Sequence, residues 1–82
     1  MRMLYLRRVP SATKAEYSQW HEVSEEQAVR SVKIGVPKSH WNQIAEWFEK
    51  GIPLSNAFAI YRKCNEEYAE HLMEQINKKV SL

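Results

Sequence analysis

Residues 24–51 read SEEQAVRSVKIGVPKSHWNQIAEWFEKG, from Ser24 to Gly51. The stretch opens on Ser24-Glu25-Glu26-Gln27, a capping box in which the serine oxygen is placed to accept a backbone amide three residues on. Val23 before it and Ala28 after it have the spacing of a hydrophobic staple. Glu25 and Glu26 suit the positive end of a helix dipole. A helix is therefore expected from Glu25 to about Ile34, with Gly35 as its stop. Val36-Pro37 restarts the chain, and a second helix is expected from Ser39 to Lys50. Its residues Trp41, Ile44, Ala45 and Phe48 have the three-four spacing of a buried face, and Gly51 ends it.

Two helices around a glycine in this order resemble the helix-turn-helix of phage Cro and lambda-type repressors. The resemblance covers about a third of the chain and is carried by particular residues. Ser31 is the small residue four before the glycine, where alanine is more usual, and Ile34 is the apolar residue just before it. Gly35 gives the freedom a left-handed turn needs. Val36 follows it, and Trp41 and Ile44 lie six and nine residues on. Two features depart from the pattern: Trp41 replaces an aliphatic residue, and Pro37 stands in the turn. The resemblance implies a sequence-specific, DNA-binding transcriptional regulator of a phage-like or mobile-element kind. DNA would be met by residues three, four, seven and eight after the glycine, namely Lys38, Ser39, Asn42 and Gln43, with Arg30 and Lys33 as further cations. Asn and Gln side chains can pair bidentately with adenine, and Lys or Ser can bind phosphate.

Outside this segment the pattern changes. Met3–Val9 is aliphatic and aromatic and ends at Pro10, which predicts a short strand or arm within residues 1–10. A lone strand needs a partner, and the same strand of a second subunit is expected to supply it. Thr13-Lys14-Ala15-Glu16 is another capping box, predicting a short helix from Lys14 to His21 with Tyr17 and Trp20 on its apolar face. Ser55 is expected to cap a last helix over residues 55–78, in which Phe58, Tyr61, Tyr68, Leu72 and Ile76 form one stripe interrupted by Asn65. The fold class expected is thus mostly α: a single small helical domain over residues 1–82, with a helix-turn-helix core, an N-terminal strand or arm and a long C-terminal helix. Its short length, unpaired strand and long helix point to a homodimer.

Composition narrows the chemistry. The chain has 82 residues and a net charge of +2. The basic excess lies in residues 1–38, where seven Lys/Arg face four Glu, and that is where a polyanion such as double-stranded DNA would dock. Cys64 is the only cysteine, so no intrachain disulfide can form, and a lone thiol fits a reducing compartment. The first residues are broken by Arg2, Arg7 and Arg8 and read as neither a signal peptide nor a membrane span, leaving the cytoplasm as the expected location. The chain has no aspartate, only Gly35 and Gly51 as glycines, and His21, His40 and His71 on separate segments. No nucleophile–base pair, metal-ligand spacing or phosphate-cradling loop follows from such a set, so neither an enzyme nor a cofactor is expected.

Two other functions use the same residues. Ser31–Pro37 alternates apolar and non-apolar positions as a strand does, similar to the ribbon of ribbon-helix-helix repressors, in which Ser31, Lys33 and Gly35 would face DNA. The other class is a protein-binding inhibitor or adaptor, with Trp20, Trp41 and Trp47 as anchors for a protein partner where exposed and as core where buried.

Overall fold

The computed structural model describes the backbone of residues 2–10 and 18–80, and side chains as far as residue 74. Its centre is a four-stranded antiparallel sheet built of β1 (Met3–Arg8), β2 (His21–Val23), β3 (Leu54–Ser55) and β4 (Ile60–Asn65), in the order β2-β1-β4-β3. Among the described residues three α-helices accompany it: α1 (Glu25–Ile34), α2 (Ile44–Glu49) and α3 (Glu66–Val80). A 3-10 helix, Lys38–Gln43, leads into α2. The protein is an α/β domain, and the mostly helical fold with a helix-turn-helix core is overturned by this sheet.

Strand β1 fills a central place because both of its faces are covered. Along a strand successive side chains point to opposite sides. Leu4 and Leu6 enter one cluster with Trp20, Cys64 and Ala69, while Tyr5 packs against the other, formed by Ala28, Val32, Ile44, Phe48, Ala59 and Tyr61. Both neighbours come from the same chain. Tyr5 lies opposite Val23 on β2 and opposite Lys63 on β4, and Leu4 lies opposite Cys64. The strand expected at Met3–Val9 is therefore present, but it needs no second subunit.

That second neighbour, β4, is where the expectation fails. Residues 55–78 do not form one helix: 60–65 are strand, and the helix begins at Glu66. Phe58, Tyr61 and Tyr68 fit a helical period by coincidence. Tyr61 is buried in the core, whereas Phe58 is 73% exposed and Tyr68 is 42% exposed. Ser55 is the last residue of β3 rather than a cap. Asn56 shapes the turn, its Oδ1 accepting from the amides of Phe58 and Ala59 at 2.8 Å each. Asn65, which interrupts the stripe in the sequence, is the cap of α3: its Oδ1 accepts from the Tyr68 amide at 2.8 Å, and Glu66 and Glu67 fill the first turn.

Helix α1 keeps the bounds its sequence predicts. Ser24 accepts from the Gln27 amide at 3.0 Å, and Ala28 and Val32 are fully buried on the sheet side. Residues 31–34 are its last turn, so the alternating stretch from Ser31 is not a strand. Gly35 ends it for a different reason from the one expected. Its φ is −97°, outside the left-handed region, but a Cβ there would lie 3.0 Å from Asn56 Cα and 3.2 Å from Ser55 O. The glycine is a close-approach residue that lets the β3–β4 turn sit against the helix end. Gly51, at φ +75°, is the one that takes the left-handed conformation.

The expected helix Ser39–Lys50 is split. Lys38–Gln43 winds as 3-10, and only Ile44–Glu49 is α-helical. Ile44 and Phe48 reach the core as expected, with Trp41 packed at its margin. Ala45 is exposed, and Trp47 takes part in the packing instead. Of the early helix predicted for Lys14–His21, the first half, residues 14–17, lies outside the described residues, and its last residue, His21, belongs to β2. No helix among the described residues is long and apolar enough to cross a membrane.

Three groups in this core hold their protons more tightly than the unfolded chain does. The Glu49 carboxylate, bonded to Lys63, raises the lysine above its ordinary 10.5. Burial raises Tyr5 above 10.0, against the opposing pull of the Lys63 charge, and raises the Cys64 thiol above 9.0. Groups whose folded pKa is raised contribute stability that is fully present below the unfolded value and is lost as pH climbs through the folded one. Thermal melts are expected to hold a constant contribution from these groups at pH 7–8 and to lose it above about pH 9, first through Cys64 and then through Tyr5 and Lys63. A melting temperature that rises between pH 9 and 10.5 would contradict this assignment.

Candidate nucleic-acid interface

From Gln27 to Ala45 the chain has no carboxylate, but it has Arg30, Lys33, Lys38 and His40. The fold gathers part of this segment around one side chain. Trp41 lies half-buried against the core, and its Nε1 donates to the Val36 carbonyl at 2.9 Å, which fixes the ring plane. The Lys33 ammonium, from the last turn of α1, lies 5.1 Å from the ring centroid, and the Lys38 ammonium, from the start of the 3-10 helix, lies 5.9 Å from it. Both are within cation–π range.

The 3-10 winding explains the second contact. With three residues per turn, side chains at i and i+3 eclipse, so Lys38 stands over Trp41 on one ridge and Ser39 over Asn42 on the next. Lys38, Ser39, His40 and Asn42 are exposed, and Gln43 is half-buried at the junction with α2. Pro37 sets the start: its carbonyl accepts from the His40 amide at 2.8 Å.

Ion pairing separates these two lysines from the other described lysines. Arg2 bridges Glu22 and Glu66 at 3.0 and 3.2 Å, Lys50 pairs with Glu46 at 3.0 Å, and Lys63 pairs with Glu49. Among the lysines whose side chains are described, Lys33 and Lys38 alone lack a carboxylate partner. Their positive charge faces solvent without local neutralisation, which is the electrostatic condition for attracting a polyanion.

Of the six residues the sequence put forward for DNA contact, Lys38, Ser39 and Asn42 are exposed on the 3-10 helix, and Lys33, half-buried, meets Lys38 at the Trp41 ring. Arg30 is exposed on α1 but held by Glu26 at 2.6 Å, and Gln43 turns partly inward. Sequence reasoning did not anticipate two exposed apolar side chains at the same end of α1: Ile34, 77% exposed, and Phe58, 73% exposed on the turn that packs against Gly35. The helix-turn-helix pattern asked only that Ile34 be apolar, and the long-helix pattern placed Phe58 in a stripe. No protein-family model, curated protein sequence or solved structure matches the chain.

Proposed function

We propose that this chain binds double-stranded DNA through the surface formed by Lys33, Lys38, Ser39 and Asn42, and serves as a sequence-specific regulator of transcription. The observation that carries this reading is the pair of lysines without carboxylate partners that converge on the Trp41 ring, within a segment free of acid. The aromatic ring limits the freedom of both ammonium groups, so less entropy remains to be lost when they meet phosphates. The Ser39–Asn42 ridge is the part suited to base edges. The frame that presents it is an α/β sheet domain.

Binding to a random duplex, followed by mobility shift at two salt concentrations, tests the reading. Log affinity is expected to fall linearly with log salt, and Lys33→Ala with Lys38→Ala should reduce the slope by about two units, one for each phosphate neutralised. Asn42→Ala should cost about 1–3 kcal/mol on a selected site and little on random sequence. Wild-type protein that binds no duplex at low salt would overturn the reading and transfer the surface to a protein partner.

A further inference from the structure

Phe58 is exposed in a way that ordinary loop residues are not, because the turn beneath it is held by four hydrogen bonds of Asn56. Asn56 accepts from the amides of Phe58 and Ala59 through Oδ1, donates its own amide to the Ala59 carbonyl at 3.0 Å, and donates from Nδ2 to the Ser31 carbonyl at 3.1 Å. Ala59, next in sequence, is only 5% exposed and lies in the core, so the chain is pinned directly after the aromatic. Pro10 and Phe58 both line a cleft of about 210 Å³. An unpaired aromatic ring is thus held outward by a turn fastened to the C-terminal end of α1.

The same helix end carries Lys33, and Lys38, from the 3-10 helix that follows, meets it at the Trp41 ring. Successive residues of an α-helix are separated by about 100°, so Lys33 and Gly35 lie on opposite flanks of a cylinder about 10–12 Å across, with Ile34 between them. Lys33 and Lys38 occupy one flank, and the turn bearing Phe58 rests on the other. The turn residues Ser55, Asn56 and Ala57 are uncharged. An apolar wedge thus stands across the end of α1 from the cations, and apolar wedges combined with basic side chains are what proteins use to unstack and kink duplex DNA.

We propose that Phe58 stacks against a base at a step that the bound duplex opens, with Ile34 covering the apolar edge of the opened step. This rests on the DNA reading above: Lys33 and Lys38 hold the backbone, and Phe58 supplies contact that is insensitive to salt. Phosphate pairing scales with ion release, whereas stacking releases no ions, and the two contributions are therefore separable.

The test uses full-length protein, Phe58→Ala and Phe58→Trp, titrated onto a series of duplexes carrying 2-aminopurine at successive positions, a base that brightens when unstacked. Because Phe58 is largely exposed, both variants are expected to melt as wild type does. Phe58→Ala should weaken binding about five- to a hundred-fold with an unchanged salt slope, and should abolish a rise in fluorescence seen with wild type at one or two positions. Phe58→Trp should restore both. Equal affinity of wild type and Phe58→Ala, or wild-type binding without brightening at any position, overturns the wedge and leaves the lysine surface standing. Absence of wild-type binding overturns both proposals together.

Discussion

Truncating Phe48 to alanine is expected to remove about 3–5 kcal/mol of folding stability. The side chain is 1% exposed, and its ring meets Tyr5 edge-on, with centroids 5.2 Å apart and planes at 82°. It stands where α1, α2 and the sheet converge, among Ala28, Val32, Ile44 and Tyr61, so nothing flexible is placed to fill the cavity. For a domain of this size total stability is about 4–12 kcal/mol, so the variant approaches the folding limit. A melting temperature lowered by roughly 15–30 °C, or a shifted denaturant midpoint with an unchanged slope, would report it. A loss under about 1.5 kcal/mol would mean that this core is not closed as described. Trp41→Ala, which the sequence alone puts in the same class, is expected to cost less, because Trp41 is only half-buried and keeps solvent on its lysine-bearing side.

The difference between these two aromatics shows where sequence is a sufficient guide. Both fit the same three-four spacing, but that pattern assumes 3.6 residues per turn through Ser39–Lys50. The chain winds as 3-10 until Gln43, which leaves Trp41 at the core margin and moves Ser39 and Asn42 onto a shared ridge. Local signals were reliable where they were chemically self-contained. Ser24 caps α1, and the run after Met3 forms a strand, because a cap bond or a doubly buried apolar run involves few other residues. Strand β4 was not legible. Its six residues carry Arg62, Lys63 and Asn65, and its register depends on β1 nearly sixty residues away. Nor could the sequence reveal the approach of Asn56 to Gly35, which gives the glycine a steric rather than a conformational role.

The candidate site was legible as a list of residues and not as a geometry. Lys38, Ser39 and Asn42 were selected for a helix that does not form as expected, yet they are exposed near one another because the 3-10 turns begin at Pro37 and keep the same side outward. The contribution of Lys33 depends on the tertiary packing of α1 beside Trp41, which no spacing rule contains. Arg30 shows the reverse: an i,i+4 carboxylate, readable in the sequence at Glu26, takes up its charge.

Asn56→Ala is expected to cost about 2–3 kcal/mol, a large effect for a polar residue on a short turn. Three hydrogen bonds leave with the amide: two from the Phe58 and Ala59 amides and one to the Ser31 carbonyl. Each is worth about 1 kcal/mol net, and the cost is greatest where a group loses its partner away from water. The Ala59 amide, on a residue 5% exposed, is such a group. Asn56→Asp separates the contributions. It retains the acceptor for both amides and removes the donor to Ser31, setting a carboxylate oxygen against that carbonyl, and should lose roughly half as much. Urea denaturation gives the totals, and hydrogen exchange at the Ala59 amide gives the local part, with protection falling sharply in Asn56→Ala and little in Asn56→Asp. Equal exchange in wild type and Asn56→Ala would show that Asn56 does not hold this turn. Phe58 would then lose the rigid support on which its stacking role depends.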